Sequence, residues 1–302
     1  MAPMRWLGLI LALLVASPAS AQQLKYDIAK GGGQWKFTAV WKDGEGTRHK
    51  ARFTLPAGPI KEDLQEPLFW AFQKLAKVKA KDINTHDYGK GASCKAQVEG
   101  GQLSYSCRGK TEEKREAAMA TTRRLLEERE AKWLKNHGMK KHQDGSIGVD
   151  WAQHVVDYAD DLAPVVAGLG GATPDPRDFA AKALSFVQSI PYEKRGKKPD
   201  LFRRPLSLLG RNKGDCDSKT VLYLALLHQA YPELGLGVVV IRKHAFAAIA
   251  FEAESGDTKV KVDGERWVGV EPVGPAQAPI GKIGRKSRRA LRFRRYFVTR
   301  AT

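Results

Sequence analysis

Cysteine is scarce in this chain: among 302 residues only Cys94, Cys107 and Cys216 occur. No two of them form a CxxC pair, which removes the paired-cysteine zinc motifs. HExxH is absent, and His49, His86, His137, His142, His154 and His228 are scattered without ligand spacing, so no metal is expected. "GRNKGDCDSKT" lacks the Gly-Lys-Ser/Thr ending and the preceding apolar strand of a phosphate loop, and there is no dinucleotide fingerprint, so no cofactor is expected. Repeats and low-complexity tracts are missing. After residue 21 no apolar run is long enough to cross a bilayer, so no integral membrane segment is expected in the mature chain.

What the chain does contain begins with "MAPMRWLGLILALLVASPASA". A short basic start, an apolar run from Leu7 to Val15 and a small-residue ending read as a secretory signal over residues 1–21, cleaved after Ala21. The expected localisation is therefore periplasmic or secreted, and no lipidation cysteine lies near the cut. Lys and Arg number 51 against 33 Asp and Glu, a formal charge of +18. For an exported protein this favours anionic envelope polymers, lipid headgroups or acidic proteins as counter-charges over nucleic acid, or it marks a generally solvated basic surface. Disulfides persist in such compartments. Cys94 and Cys107 flank two alternating runs joined by Gly100-Gly101, which predicts a hairpin bridged across its strands and leaves Cys216 unpaired.

The mature length and an apolar share of 42% predict two domains, or one large one with an elaboration; split in two, the first reads as a smaller α+β domain of hairpins and helices. The first, 22–149, starts with a hairpin over Gln34 to Leu55 around Asp43-Gly-Glu-Gly. It continues with a helix carrying Leu64, Leu68, Phe72 and Leu75 on one face, the cysteine hairpin, and a long charged helix from Glu112 to Asn136 stopped near Gly138. Lys140 to Asp150 reads as a linker. In the second domain, 150–302, Trp151, Val155, Tyr158, Leu162 and Val165 recur at helical spacing. Asp175 caps a helix with Pro176 at its first position, burying Phe179, Ala183, Phe186 and Ile190. A basic loop, "YEKRGKKPDLFRRP", leads to "GDCDSK" and to a helix apolar nearly all round. Strands follow in "LGVVVIRKHAFAAIAFEAE", "DTKVKVD" and "ERWVGVEP", and the basic C-terminal tail reads as a strand or arm.

Cys216 falls in the first turn of that apolar helix, with Asp215 as its cap. Helix dipole and unpaired N–H groups favour a thiolate there, and the same N–H groups suit an oxyanion formed in acyl transfer. A thiolate nucleophile works with an imidazole beside it and a third group to orient the ring. His244 opens an apolar strand downstream, and Glu271 closes another before Pro272. Each residue also has a plain reading: Cys216 as core packing, His244 as a core histidine, Glu271 as a surface charge.

"GDCDSK" leading a buried helix, "HA" opening a strand, "WVGVEP" closing the next, and "FVQSIPYE" upstream together resemble the transglutaminase-like cysteine enzymes of bacteria over roughly Trp151 to Pro272. The resemblance implies a papain-like α+β core, with the cysteine on a central helix packed against an antiparallel sheet. It implies Cys216 as nucleophile, His244 as general base and acid, and Glu271 as the orienting carboxylate. Asp is commoner at that third place, which keeps Asp263 as the fallback. Gln188 is the candidate oxyanion side-chain donor, or else a solvated glutamine at a helix end. Tyr192 lines the cleft or covers the core edge, and Asp217 with Lys219 forms a local ion pair. Two functions follow from different classes. One is an exported cysteine peptidase, amidase or transglutaminase acting on protein or peptide amides. The other is an inactive transglutaminase-like protein that binds the envelope through its basic surface.

Overall fold

The computed structural model describes residues 22–65, 68–141, 147–193, 202–274 and 276–302; the expected signal segment and most of the basic loop at 194–204 lie outside them. The protein is α+β, and every sheet among the described residues is antiparallel. Strands β1 (Gln22–Gly31), β2 (Gln34–Lys42) and β3 (Arg48–Pro56) form a meander in that order. The sequence points to the β2–β3 hairpin but not to β1, an edge strand whose side chains are mostly exposed. The single helix expected across residues 62–80 is not what the described residues show, and Pro67 lies outside them. Two helices stand there instead, α1 (Ala57–Gln65) and α2 (Leu68–Thr85). Leu64 and Leu75 thus belong to separate helices, and the side chains of Leu68 and Phe72 lie outside the described residues.

Strands β4 (Ala92–Glu99) and β5 (Gln102–Gly109) pair with Cys94 opposite Cys107, and the two cysteines are bridged. Helix α3 (Glu112–Asn136) is capped by Thr111 and covers this hairpin through Ala118 and Thr122. Beyond it, β6 (Met139–Lys141) pairs with β7 (Ile147–Val149), so the expected linker contains a small ladder. The helical spacing from Trp151 to Val165 breaks into α4 (Trp151–Asp157), a single 3-10 turn at Asp160–Leu162, and α5 (Ala163–Gly168), which restarts around Pro164. Val155, Leu162 and Val165 are nonetheless fully buried. Asp175 caps α6 (Pro176–Ser189) by accepting from Arg177 N–H.

After the short helix α7 (Pro205–Arg211) comes α8 (Cys216–Ala230). Its unbroken apolar surface is explained by its surroundings: α4, α5, α6 and α7 pack around it, and strands β8 (Leu236–Ile241) and β9 (His244–Ile249) cover it. Val221, Leu222, Leu224, Leu226 and Leu227 are fully buried, each worth about 1.5–3 kcal/mol on transfer from water. With β10 (Lys259–Val262), β11 (Glu265–Val270) and β12 (Phe297–Arg300), β8 and β9 make a five-stranded sheet ordered β10-β11-β9-β8-β12. Strand alternation divides its two faces. Ala245, Ala247, Val268 and Val270 join the α8 core, while Phe246, Ala248 and Trp267 pack on the side of α9 (Arg285–Arg292). The tail read as a strand or arm is thus a helix followed by an edge strand. Its helix escaped notice because Arg and Lys fill most of its positions.

The main core does not divide at residue 150, where the sequence suggests a domain boundary. Trp41 and Phe53 of the first sheet meet Phe186 of α6 with ring centroids 5.3 and 6.4 Å apart, and Trp41 Nε1 donates to Ser185 Oγ at 3.0 Å. Gly168 lies so close to β3 that a Cβ there would sit 2.5 Å from the Arg52 carbonyl oxygen. Helices α2 and α3 and the bridged hairpin gather round two small clusters of their own.

Candidate active site

The site is built from the ends of three elements. At the first, Asp215 caps α8, and Ser218 donates to Asp215 Oδ1 from its backbone at 3.4 Å and its hydroxyl at 2.5 Å. Cys216 is the first residue of the helix, 5% exposed, and the protein's one free thiol. Gly214 lets the chain pass close to α7: a Cβ there would lie 2.6 Å from Leu208 Cδ1. Its carbonyl accepts from Glu193 N–H at 3.0 Å, and its N–H donates to the Pro191 carbonyl at 3.3 Å. The segment ahead of the cysteine is thereby laid against α6's exit. The carboxylate of Glu193 is held by Arg203 and Lys213.

The other two ends meet through sheet topology. Strands β9 and β11 are antiparallel neighbours with Val270 opposite Ala247, so the finish of one lies beside the start of the other. His244 and Glu271 share the strand parity that faces α9. His244 Nε2 lies 3.0 Å from both Glu271 Oε1 and Oε2. Cys216 is the imidazole's other side-chain neighbour. Burial opposes the ring's positive charge, but the ring's hydrogen bonds to Cys216 and Glu271 and the attraction of their charges outweigh it and hold His244 up at about 9. The ring stacks on Phe246 at 6.3 Å.

Several residues take places that the sequence does not suggest. Asp263 sits in the β10–β11 turn, at the opposite end of β11 from Glu271, and its nearest cation is Arg300 at 3.8 Å. Topology therefore separates the fallback carboxylate from His244. Gln188 is buried, and its amide donates to the Glu271 carbonyl at 2.8 Å and the Ala278 carbonyl at 2.9 Å. Both amide hydrogens are thus engaged, so Gln188 is neither a solvated glutamine nor a free oxyanion donor; it braces the backbone that carries Glu271. Lys219 does not turn to Asp217. Its ammonium reaches back to the end of α6, donating to the Ile190 carbonyl at 2.5 Å and the Gln188 carbonyl at 3.4 Å, and burial holds it down to about 7. Tyr192 is exposed, and its backbone bridges Gly214.

Ser287 escapes sequence reasoning altogether. It is fully buried on α9, and its hydroxyl donates to Glu271 Oε2 at 3.4 Å. A small polar residue among arginines carries no signal; only its burial marks it. Among the described residues no group of three His, Cys, Asp or Glu side chains is placed to hold a metal ion, and no helix is long and apolar enough to cross a membrane. No family model, curated protein or solved structure matches the chain.

Proposed function

We propose that this protein is an exported cysteine enzyme with a papain- or transglutaminase-like core, transferring acyl groups from amide bonds through Cys216, His244 and Glu271. The observation that carries the reading is the imidazole of His244, which touches a thiol at a helix N-terminus on one side and a buried carboxylate at 3.0 Å on the other. The disulfide in the β4–β5 hairpin supports an oxidising compartment.

In this mechanism His244 is the imidazolium partner of a Cys216 thiolate, and the sulfur attacks the amide carbonyl. The oxyanion that forms accepts hydrogen bonds from N–H groups in the first turn of α8, since Gln188 has none to offer. The imidazolium gives its proton to the leaving amine as the C–N bond breaks, and an acyl thioester remains. Water, deprotonated by His244, then releases the acid and the free thiol. An amine in place of water gives a new amide. Glu271 holds the ring in orientation throughout and stabilises its charge. Ser287 and Gln188 hold Glu271.

Alkylation by iodoacetamide across pH tests this directly, because Cys94 and Cys107 are bridged and only Cys216 can react. Fast labelling of the folded protein well below the ordinary thiol range, lost in His244→Ala, is the expected result. Labelling that requires denaturation would defeat the proposal.

A further inference from the structure

We propose that the site selects amides carried on acidic polypeptides, through a cationic rim on two elements beside the imidazole; this rests on the enzymatic reading above. The β8–β9 turn consists of Arg242 and Lys243, both exposed and immediately ahead of His244. Opposite stands the N-terminal end of α9 with exposed Arg285 and Lys286. The two are tied together, since Lys286 Nζ donates to the Lys243 carbonyl at 3.3 Å. The α9 end adjoins the carboxylate of Glu271: Ser287 bonds it, and a Cβ on Gly284 would lie 3.7 Å from Glu271 Oε2. The carboxylates nearest the nucleophile in the chain, Asp215 and Asp217, are buried. From Pro272 to Thr302 the sequence holds no Asp or Glu while Arg and Lys recur.

A substrate whose amide reaches Cys216 would have these exposed cations beside the imidazole as its near surroundings, and charge complementarity favours an acidic chain. An anionic membrane is the competing occupant, because Phe293 and Phe297 are 53% and 51% exposed among arginines. The polypeptide is favoured because the rim cations come from two elements, one running directly into His244 in the chain and the other into Ser287, which bonds Glu271. The two phenylalanines lie at and beyond the far end of α9.

The test compares two peptide vinyl sulfones of equal length, one bearing glutamates and one lysines, with neutral iodoacetamide as the reference. At low salt the glutamate probe should label Cys216 roughly tenfold faster. Each rate being taken relative to the same protein's iodoacetamide rate, that preference should vanish at high salt and in the Arg242→Glu/Arg285→Glu variant. Rapid iodoacetamide labelling with no glutamate preference overturns the acidic-substrate proposal and leaves the nucleophile intact. Loss of phosphatidylglycerol-vesicle binding in the same variant, again without peptide preference, overturns it in favour of a membrane surface. Failure of iodoacetamide to label the folded protein overturns the enzymatic reading itself.

Discussion

Replacing Glu271 by Gln keeps the shape and a hydrogen-bond acceptor but removes the charge facing His244. The wild-type imidazole is held at about 9 against an ordinary 6.5, which makes its protonated form about 3 kcal/mol more favourable in the fold than in the free chain. The Cys216 contact survives the substitution, so only part of this is lost, on the order of 1–2 pH units. The linkage has a definite sign. A raised folded-state value stabilises the protein fully below the unfolded value, near 6.5, and that stabilisation disappears as pH rises through about 9. Glu271→Gln should therefore cost about 2 kcal/mol near neutrality and almost nothing near pH 10. Comparing variant with wild type cancels the opposite slope contributed by Lys219, whose depressed value makes stability rise with pH above about 7. NMR of 13C-histidine gives the His244 midpoint directly, and urea unfolding at a series of pH values gives the stability difference. A wild-type midpoint near the ordinary histidine value, or a stability difference independent of pH, would refute the reasoning.

Other substitutions address separate parts of the account. Asp263→Ala should leave the pH profile of Cys216 alkylation unchanged, since Asp263 stands at the far end of β11. Gly214→Ala should cost about 1–3 kcal/mol in urea unfolding, because its methyl would press on Leu208. Converting both Cys94 and Cys107 to Ser should remove roughly 3 kcal/mol of local protection from the β4–β5 hairpin, read by amide hydrogen exchange, with alkylation of Cys216 unaffected.

The parts of this fold legible in the sequence are those with a local cause. Asp175 and Pro176 announce α6 because a capping carboxylate and an imino acid at the first position act within one turn. Asp215 does the same for α8. Cys216, His244 and Glu271 stand out because each is a reactive or charged residue at the end of an apolar element, where packing alone does not ask for it. The illegible parts depend on distant partners. Strand β1 shows little alternation in burial because its outer side faces solvent. That the first sheet shares the α8 core follows from Trp41 and Phe53 meeting Phe186, a contact no local pattern encodes. The true partners of Gln188 and Lys219 are backbone carbonyls, which every residue carries and no sequence distinguishes. Ser287 is invisible for the complementary reason: its single informative property is the carboxylate beneath it.

The central claim is that Cys216 forms an acyl thioester in the folded protein. Brief exposure to p-nitrophenyl acetate followed by intact-mass and peptide mapping tests it most directly. The account predicts one acetyl group on Cys216, removable by hydroxylamine, with continued nitrophenol release in wild type and none in His244→Ala. An unmodified Cys216 in the folded protein, or equal acetylation with and without His244, would contradict it.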